Sequence, residues 1–220
     1  MFFLHWTLMD WVNNSIYFFQ AIVALWGTYC AIVVWTRIGQ KRFKDFDTQS
    51  QFLDALETPL VRGDFDAAAQ VCEGDSRAVC QLAHMAIMNR QLGFKKVKQL
   101  MLDHFQREVL SDLEHRLSGI NIAIKTEPML GLLGTVLGMM QAFGKLGGSE
   151  NVKSTDLASD IMLALITTAV GLTIAIPLMF ALTSINVRMR KMEELITTGL
   201  SRFLEMFDYG LKIAATRGGR

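Results

Sequence analysis

Residues 16–36, IYFFQAIVALWGTYCAIVVWT, run without a single charged side chain. At about 1.5 Å per residue, a helix of that length crosses about 30 Å of hydrocarbon. Lipid offers no water to the backbone N–H and C=O groups, so such a run is confined to a helix that satisfies them internally. Two more apolar stretches follow, one opening at Pro128 and one reaching from Leu157 to Ile185. Hydrophobic residues make up 51% of the 220-residue chain and are gathered in these blocks, unlike a disordered chain or an ordinary soluble domain. The expected fold is an all-α membrane protein, with three transmembrane helices and long helical extensions into the cytoplasm.

Charge sets the orientation. Arg37, Lys41, Arg42 and Lys44 follow the first run, whereas the preceding flank carries only His5 and Asp10. The positive-inside rule then places the N-terminus in the periplasm and residue 37 in the cytoplasm. Met1 to Ser15 lack Lys and Arg, so the positive n-region of a cleaved signal peptide is missing and the run reads as a retained span. Trp6, Trp11 and Trp35 suit the two interfaces. The resulting division is an N-terminal periplasmic or interfacial segment (1–15), a first span (16–36) and a cytoplasmic helical region (37–127). A second span and the start of a loop (128–147), a periplasmic loop (148–156), a third span (157–186) and a C-terminal cytoplasmic helix and tail (187–220) complete it.

The cytoplasmic region balances acidic against basic residues, and the whole chain has a formal net charge of +1. There is no global basic field for nucleic acid. From Lys95 onward, Val97, Met101, Phe105, Val109, Leu113, Leu117, Ile120 and Ile124 recur every three or four residues, which predicts one long amphipathic helix feeding the second span. Cys30, Cys72 and Cys80 have no metal-ligand spacing and are odd in number, so they read as reduced thiols.

Two stripes concentrate polar chemistry within the spans. In the second, Gly131, Gly134, Thr135 and Gly138 share a face, and small residues let helix backbones approach closely. In the third, Asp160, Ala164, Thr168 and Gly171 share a face, with Thr167 beside it. A carboxylate in an apolar run faces a cavity or a partner. Because Asp160 lies near the outer end, snorkelling or a helix N-terminal role stands beside a pore-facing one.

The second span, PMLGLLGTVLGMMQAF, resembles the signature span of the MotA/TolQ/ExbB proton channel family, and LALITTAVGLTIAIPLMF resembles that family's next span. RGDFDAAAQVCEG is similar to its cytoplasmic segment. The resemblance implies a bacterial inner-membrane homopentamer around a central pore. Inside that pore would sit a dimer of an ExbD/TolR-like single-span subunit carrying the essential carboxylate. A TonB- or TolA-like protein would act beyond it, and membrane lipids would surround the ring. By motif position, Thr135 and Thr168 would face the pore, Thr167 and Asp160 would lie along the ion path, and Pro128 and Pro177 would shape their helices together with the packing glycines. No cofactor is expected beyond the transported H+ or Na+.

Two residues depart from the family pattern. Many ExbB- and TolQ-like members carry a Glu where Leu163 stands here, and the residue before the second-span Pro, often small or apolar, is Glu127. The first departure removes a proton-relay group and leaves a hydroxyl-rich site, which makes sodium coupling as reasonable as proton coupling. The expected function is an ion-conducting stator-type subunit driving work on a periplasmic or outer-membrane target such as TonB-dependent uptake. A cytoplasmic region smaller than a flagellar stator's favours the ExbB- or TolQ-like role. A non-conducting helical scaffold that organises envelope partners is the rival reading; a secondary transporter is disfavoured by the lack of an inverted repeat.

Other signals lead nowhere. Gly144-Lys145 lacks the phosphate-loop spacing. His5, His84, His104 and His115 are dispersed, and no nucleophile–base constellation marks an enzyme. The basic cluster at residues 37–44 reads as an orientation and headgroup anchor.

Overall fold

The computed structural model describes the backbone of residues 2–43, 45–148 and 154–218, and the side chains of 15–43, 45–147, 154–155 and 157–216. The described residues are helical throughout, joined by short turns. The elements are α1 (Phe2–Lys41), α2 (Phe46–Val61), α3 (Phe65–Cys72), α4 (Ala78–Met88), a 3₁₀ turn (Arg90–Leu92) and α5 (Phe94–His104). A π-helical segment (Phe105–Leu110) then leads into α6 (Ser111–Gly148), and α7 (Ser154–Gly218) closes the chain. Three helices contain stretches long and apolar enough to cross a membrane, at Ser15–Lys41, Phe94–Gly147 and Leu157–Thr216.

The helices run beyond the spans read from the sequence. α1 begins at Phe2, so residues 2–15 are helical; neither Gly nor Pro interrupts the chain before Gly27. Pro128 is inside α6, within the helix that feeds the second span. It removes one hydrogen bond to the carbonyl of Ile124, and the turns on either side continue. Gly144 to Gly148 are still in α6 and α7 resumes at Ser154, which shortens the connection between the spans. Residues 149–153, the centre of the expected loop, and the side chains of Trp6 and Trp11 lie outside the described residues.

The chain divides into two compact units. One comprises residues 1–32 and 116–184, the other residues 33–115 and 185–220. The second unit is a helical domain built on large side chains. Leu56, Leu60, Ile87, Met101, Phe203 and Phe207 are fully buried in it. Phe203 stacks on Phe207 at 5.6 Å, and Phe65 meets Phe207 edge-on at 6.0 Å. Val97, Met101, Phe105, Val109 and Leu113 are all buried. Their spacing of four overshoots a full α-helical turn by about 40° per step, and the wider π turns at 105–110 take up that drift.

Local chemistry fixes the turns of this unit. After α2, Gly63 adopts φ 76°, a left-handed conformation that favours glycine. Its N–H donates to Leu60 O and the Asp64 N–H to Pro59 O, both at 2.9 Å, closing the helix in a Schellman arrangement. The Asp64 carboxylate then accepts from Ala67 N at 3.0 Å and caps α3. Ahead of α4, Asp75 accepts from the backbone and the guanidinium of Arg77, and that guanidinium lies 3.9 Å from the Phe43 ring centroid. The Arg77 hydrogen bonds hold the Asp75 carboxyl down at about 2. Cys72 and Cys80 are free, buried thiols; burial pushes Cys72 up to about 12 and Cys80 up as well.

Candidate ion-pathway site

In the unit formed by residues 1–32 and 116–184, α6 and α7 meet along their small residues. A Cβ added at Gly131 would stand 2.8 Å from the Thr168 Cα, and one at Gly138 would stand 2.5 Å from the Ala164 Cβ. At Gly134 the obstacle is Thr167, and at Gly171 it is the backbone oxygen of Glu127, each at 2.5 Å. Helix backbones this close exclude any larger side chain from the contact. α1 joins the same unit: Gly27 lies against Ala123 and Leu178, and Trp26 and Cys30 lie against Gly119.

Close approach brings hydroxyls and carbonyls together. Thr135 Oγ1 is 3.1 Å from Gly131 O and 3.2 Å from Ala164 O. Thr167 Oγ1 is 2.7 Å from Ala164 O and 3.1 Å from Gly131 O, and Thr168 Oγ1 donates to Gly131 O at 2.9 Å. The Thr135 and Thr168 hydroxyls are hydrogen-bonded to each other. The carbonyl of Gly131 is therefore within reach of three hydroxyls. Each hydroxyl has one proton to give and keeps acceptor lone pairs. Thr167 is fully buried against α6, whereas Thr135 and Thr168 are half-buried at the edge of the contact. Clustered hydroxyl and carbonyl oxygens of this kind can replace part of an ion's hydration shell.

The other anticipated residues are placed as follows. Asp160 is ion-paired with Lys145 at 2.5 Å, and both side chains are mostly buried. It is thus a partnered carboxylate, two turns from the threonines. Pro177 is inside α7, where it leaves the Thr173 carbonyl without its helical donor. Trp35, assigned to an interface, carries the Arg188 guanidinium 3.6 Å from its ring centroid.

Sequence reasoning left Gln20 unremarked and gave Glu127 no place. Gln20 is 1% exposed, and its Nε2 donates to Thr167 O at 3.1 Å. Glu127 is 0% exposed, and neither carboxylate oxygen has a hydrogen-bond partner; nor does Gln20 Oε1. Two signals were available. Gln20 is a lone amide within an uncharged run, and Glu127 is one turn before Gly131, on the face that continues through Gly134 and Gly138.

Three membrane-length helices joined by a glycine face that carries intrahelix and interhelix threonine hydrogen bonds define a helical membrane protein with an oxygen-lined seam. Residues 79–198, more than half of the chain, match the MotA/TolQ/ExbB proton channel family. The chain belongs to that family. It is 38% identical over 88 residues to the Tol-Pal system protein TolQ of Haemophilus influenzae, a stretch covering 40% of this chain and 38% of that protein. Identity to the biopolymer transport protein ExbB of Helicobacter pylori is 34% over 104 residues, covering 47% of this chain and 71% of that protein. A Xanthomonas campestris ExbB is 45% identical over 56 residues, 26% of this chain and 22% of the relative. The chain thus matches well under two thirds of the TolQ and Xanthomonas proteins.

Proposed function

We propose that this chain is an ion-conducting, stator-type subunit of the bacterial inner membrane, with its N-terminus in the periplasm and its C-terminus in the cytoplasm. Five copies surround a pore that holds two helices of an ExbD/TolR-like partner. Downhill flow of H+ or Na+ through the ring is converted into mechanical work on a periplasmic or outer-membrane target, through a TonB- or TolA-like protein.

The observation that carries this reading is the hydroxyl seam. Thr135 on α6 and Thr168 on α7 share a hydrogen bond and the Gly131 carbonyl, yet both stay half-buried and accessible from one side. Structural threonines in an apolar bundle need only one carbonyl each, one turn back. A pair joined across two helices at an open edge is suited to pass an ion along.

Replacing both residues, Thr135→Val with Thr168→Val, tests it. The valines keep the shape and remove the oxygens. The expected result is an assembled complex, by size-exclusion chromatography, whose ion-driven work falls by at least about 100-fold, equivalent to about 2.7 kcal/mol on the limiting barrier. Unchanged work would support a non-conducting scaffold instead. Full activity under a pH gradient without sodium would eliminate the sodium version.

A further inference from the structure

The seam does not end at the threonines. One turn below Gly131, Glu127 is sealed from solvent with two unpartnered oxygens, and across α7 Gln20 is sealed with an unpartnered Oε1. Both residues abut the same glycine: a Cβ at Gly171 would meet Glu127 O at 2.5 Å and Gln20 Nε2 at 3.1 Å. Gln20 is in turn bonded to the backbone of Thr167, whose hydroxyl reaches Gly131 O. The Glu127 backbone and the Gln20 amide thus meet at Gly171, and from Gln20 a file of polar groups runs through Thr167 and Gly131 to Thr168 and Thr135.

An ionised carboxylate with no partner in an apolar interior is several kcal/mol uphill. Among the described residues, none is hydrogen-bonded to the Glu127 carboxylate oxygens. At the Glu127 backbone stand the neutral Gly171 of α7 and, against the same glycine, Gln20 of α1, which is bonded to Thr167. Tyr17, one turn from Gln20, donates to Leu163 O. On α6 itself the nearest charge is Lys125, which is exposed. Asp160 and Lys145 are occupied with each other. A bound cation would make Glu127 neutral, and the buried unpartnered atoms here, Glu127 Oε1 and Oε2 and Gln20 Oε1, are all oxygens, the donor type of hard monovalent ions and of protons.

We infer that Glu127 and Gln20 form an exchangeable monovalent-cation site within this chain, taken by a proton or a sodium ion and leading to the threonine file. The inference rests on the ion-conducting reading above and places a titrating carboxyl within this subunit, on α6.

The test reads occupancy without flux. The full-length chain, with its partner subunit, is placed in phosphatidylethanolamine/phosphatidylglycerol vesicles and treated with dicyclohexylcarbodiimide, which modifies protonated carboxyls. Peptide mass mapping quantifies Glu127. Modification is expected to fall by at least about tenfold as pH rises from about 6 to about 9, as the carboxyl gives up its proton. If sodium is the occupant, sodium chloride suppresses it at constant pH where choline chloride does not; if the proton is, pH alone does. Gln20→Leu should weaken the suppression by sodium, because the cation loses the unpartnered Gln20 Oε1 as a ligand. Glu127→Gln, close to isosteric, should keep the helical circular dichroism and remove the modified peptide.

Modification that is flat across pH and indifferent to sodium overturns the inference, since the carboxyl is then a sealed acid that exchanges nothing. No modification at any pH overturns it too. Flat labelling alongside loss of work in the threonine double variant defeats the cation site alone. Titrating labelling with unaltered work in that variant defeats the ion-conducting reading alone.

Discussion

The two units of this chain are both helical, and they cohere by opposite means. In the unit of residues 33–115 and 185–220, helices are held apart by large side chains, with Phe203, Phe207, Leu56, Leu60 and Met101 filling the space. Its charges are paired at accessible positions, such as Arg37 with Asp112 and Arg202 with Asp54. In the unit of residues 1–32 and 116–184, the helices approach through glycine and alanine, and hydroxyls bond to carbonyls across the contact. Its large side chains point outward: Phe18, Leu25, Met129, Leu132, Leu165 and Phe180 are all exposed. Water rewards burying bulk, whereas lipid gives no such reward and leaves packing and hydrogen bonds to join the helices. The same difference governs acids. Asp75 is half-sheltered and matched by Arg77; Glu127 is sealed and unmatched.

The sharpest way to break this contrast is to put bulk where only backbone fits. Gly171→Leu forces a side chain against the Glu127 carbonyl, an obstacle that cannot swing aside. The expected outcome is loss of assembled protein from detergent extracts, since a clash with main chain costs more than overpacking in a core that can yield, about 1–3 kcal/mol. Fluorescence-detected size exclusion would show it, and a normal peak would mean that the glycine contact is dispensable.

Removing bulk from the other unit should be costly but survivable. Phe203→Ala empties a fully buried position between two helices and should destabilise by about 3–5 kcal/mol. A fall in the thermal melting point with membrane insertion unchanged is the expected pattern. Failed insertion would mean that the two units do not divide the work of packing as described.

The smallest effect tests charge pairing. Asp75→Asn removes the fork with Arg77, and a loss of about 1–2 kcal/mol is expected near neutral pH. The sign with pH follows from the depressed carboxyl. Folded Asp75 titrates at about 2 against an ordinary 3.8, so its contribution is complete above about pH 4 and drains away as pH falls toward 2. Wild type and variant should therefore converge in acid. A gap that persists at pH 2 would place the effect elsewhere than the carboxylate.

Much of this was legible in the sequence because lipid and helical periodicity impose strong patterns. The uncharged run at 16–36, the glycine face from 131 to 138 and the buried stripe from Val97 to Ile120 all follow from local spacing. What escaped depends on residues far apart in the chain. Gln20 meets Thr167 across 147 positions, and only the three-helix arrangement brings it near Glu127. For Asp160 the sequence leaves a pore-facing, a snorkelling and a helix N-terminal role open, and its pairing with Lys145 spans the connection between α6 and α7. Proline favours a helix start, but the helix that feeds the second span carries Pro128 internally.

The crowding at Gly131, Gly134, Gly138 and Gly171 has a consequence for how the gene can change. Every missense substitution reachable from a glycine codon by one nucleotide gives a residue with a Cβ. At these positions that single atom would stand 2.5–2.8 Å from an existing one, and at Gly131 and Gly171 the neighbour is main chain. The seam therefore has almost no neutral mutations close to hand, while the outward-facing Leu and Phe positions beside it can interchange freely. Random mutagenesis scored for membrane assembly should trace the glycine contact as a line of four silent-only codons.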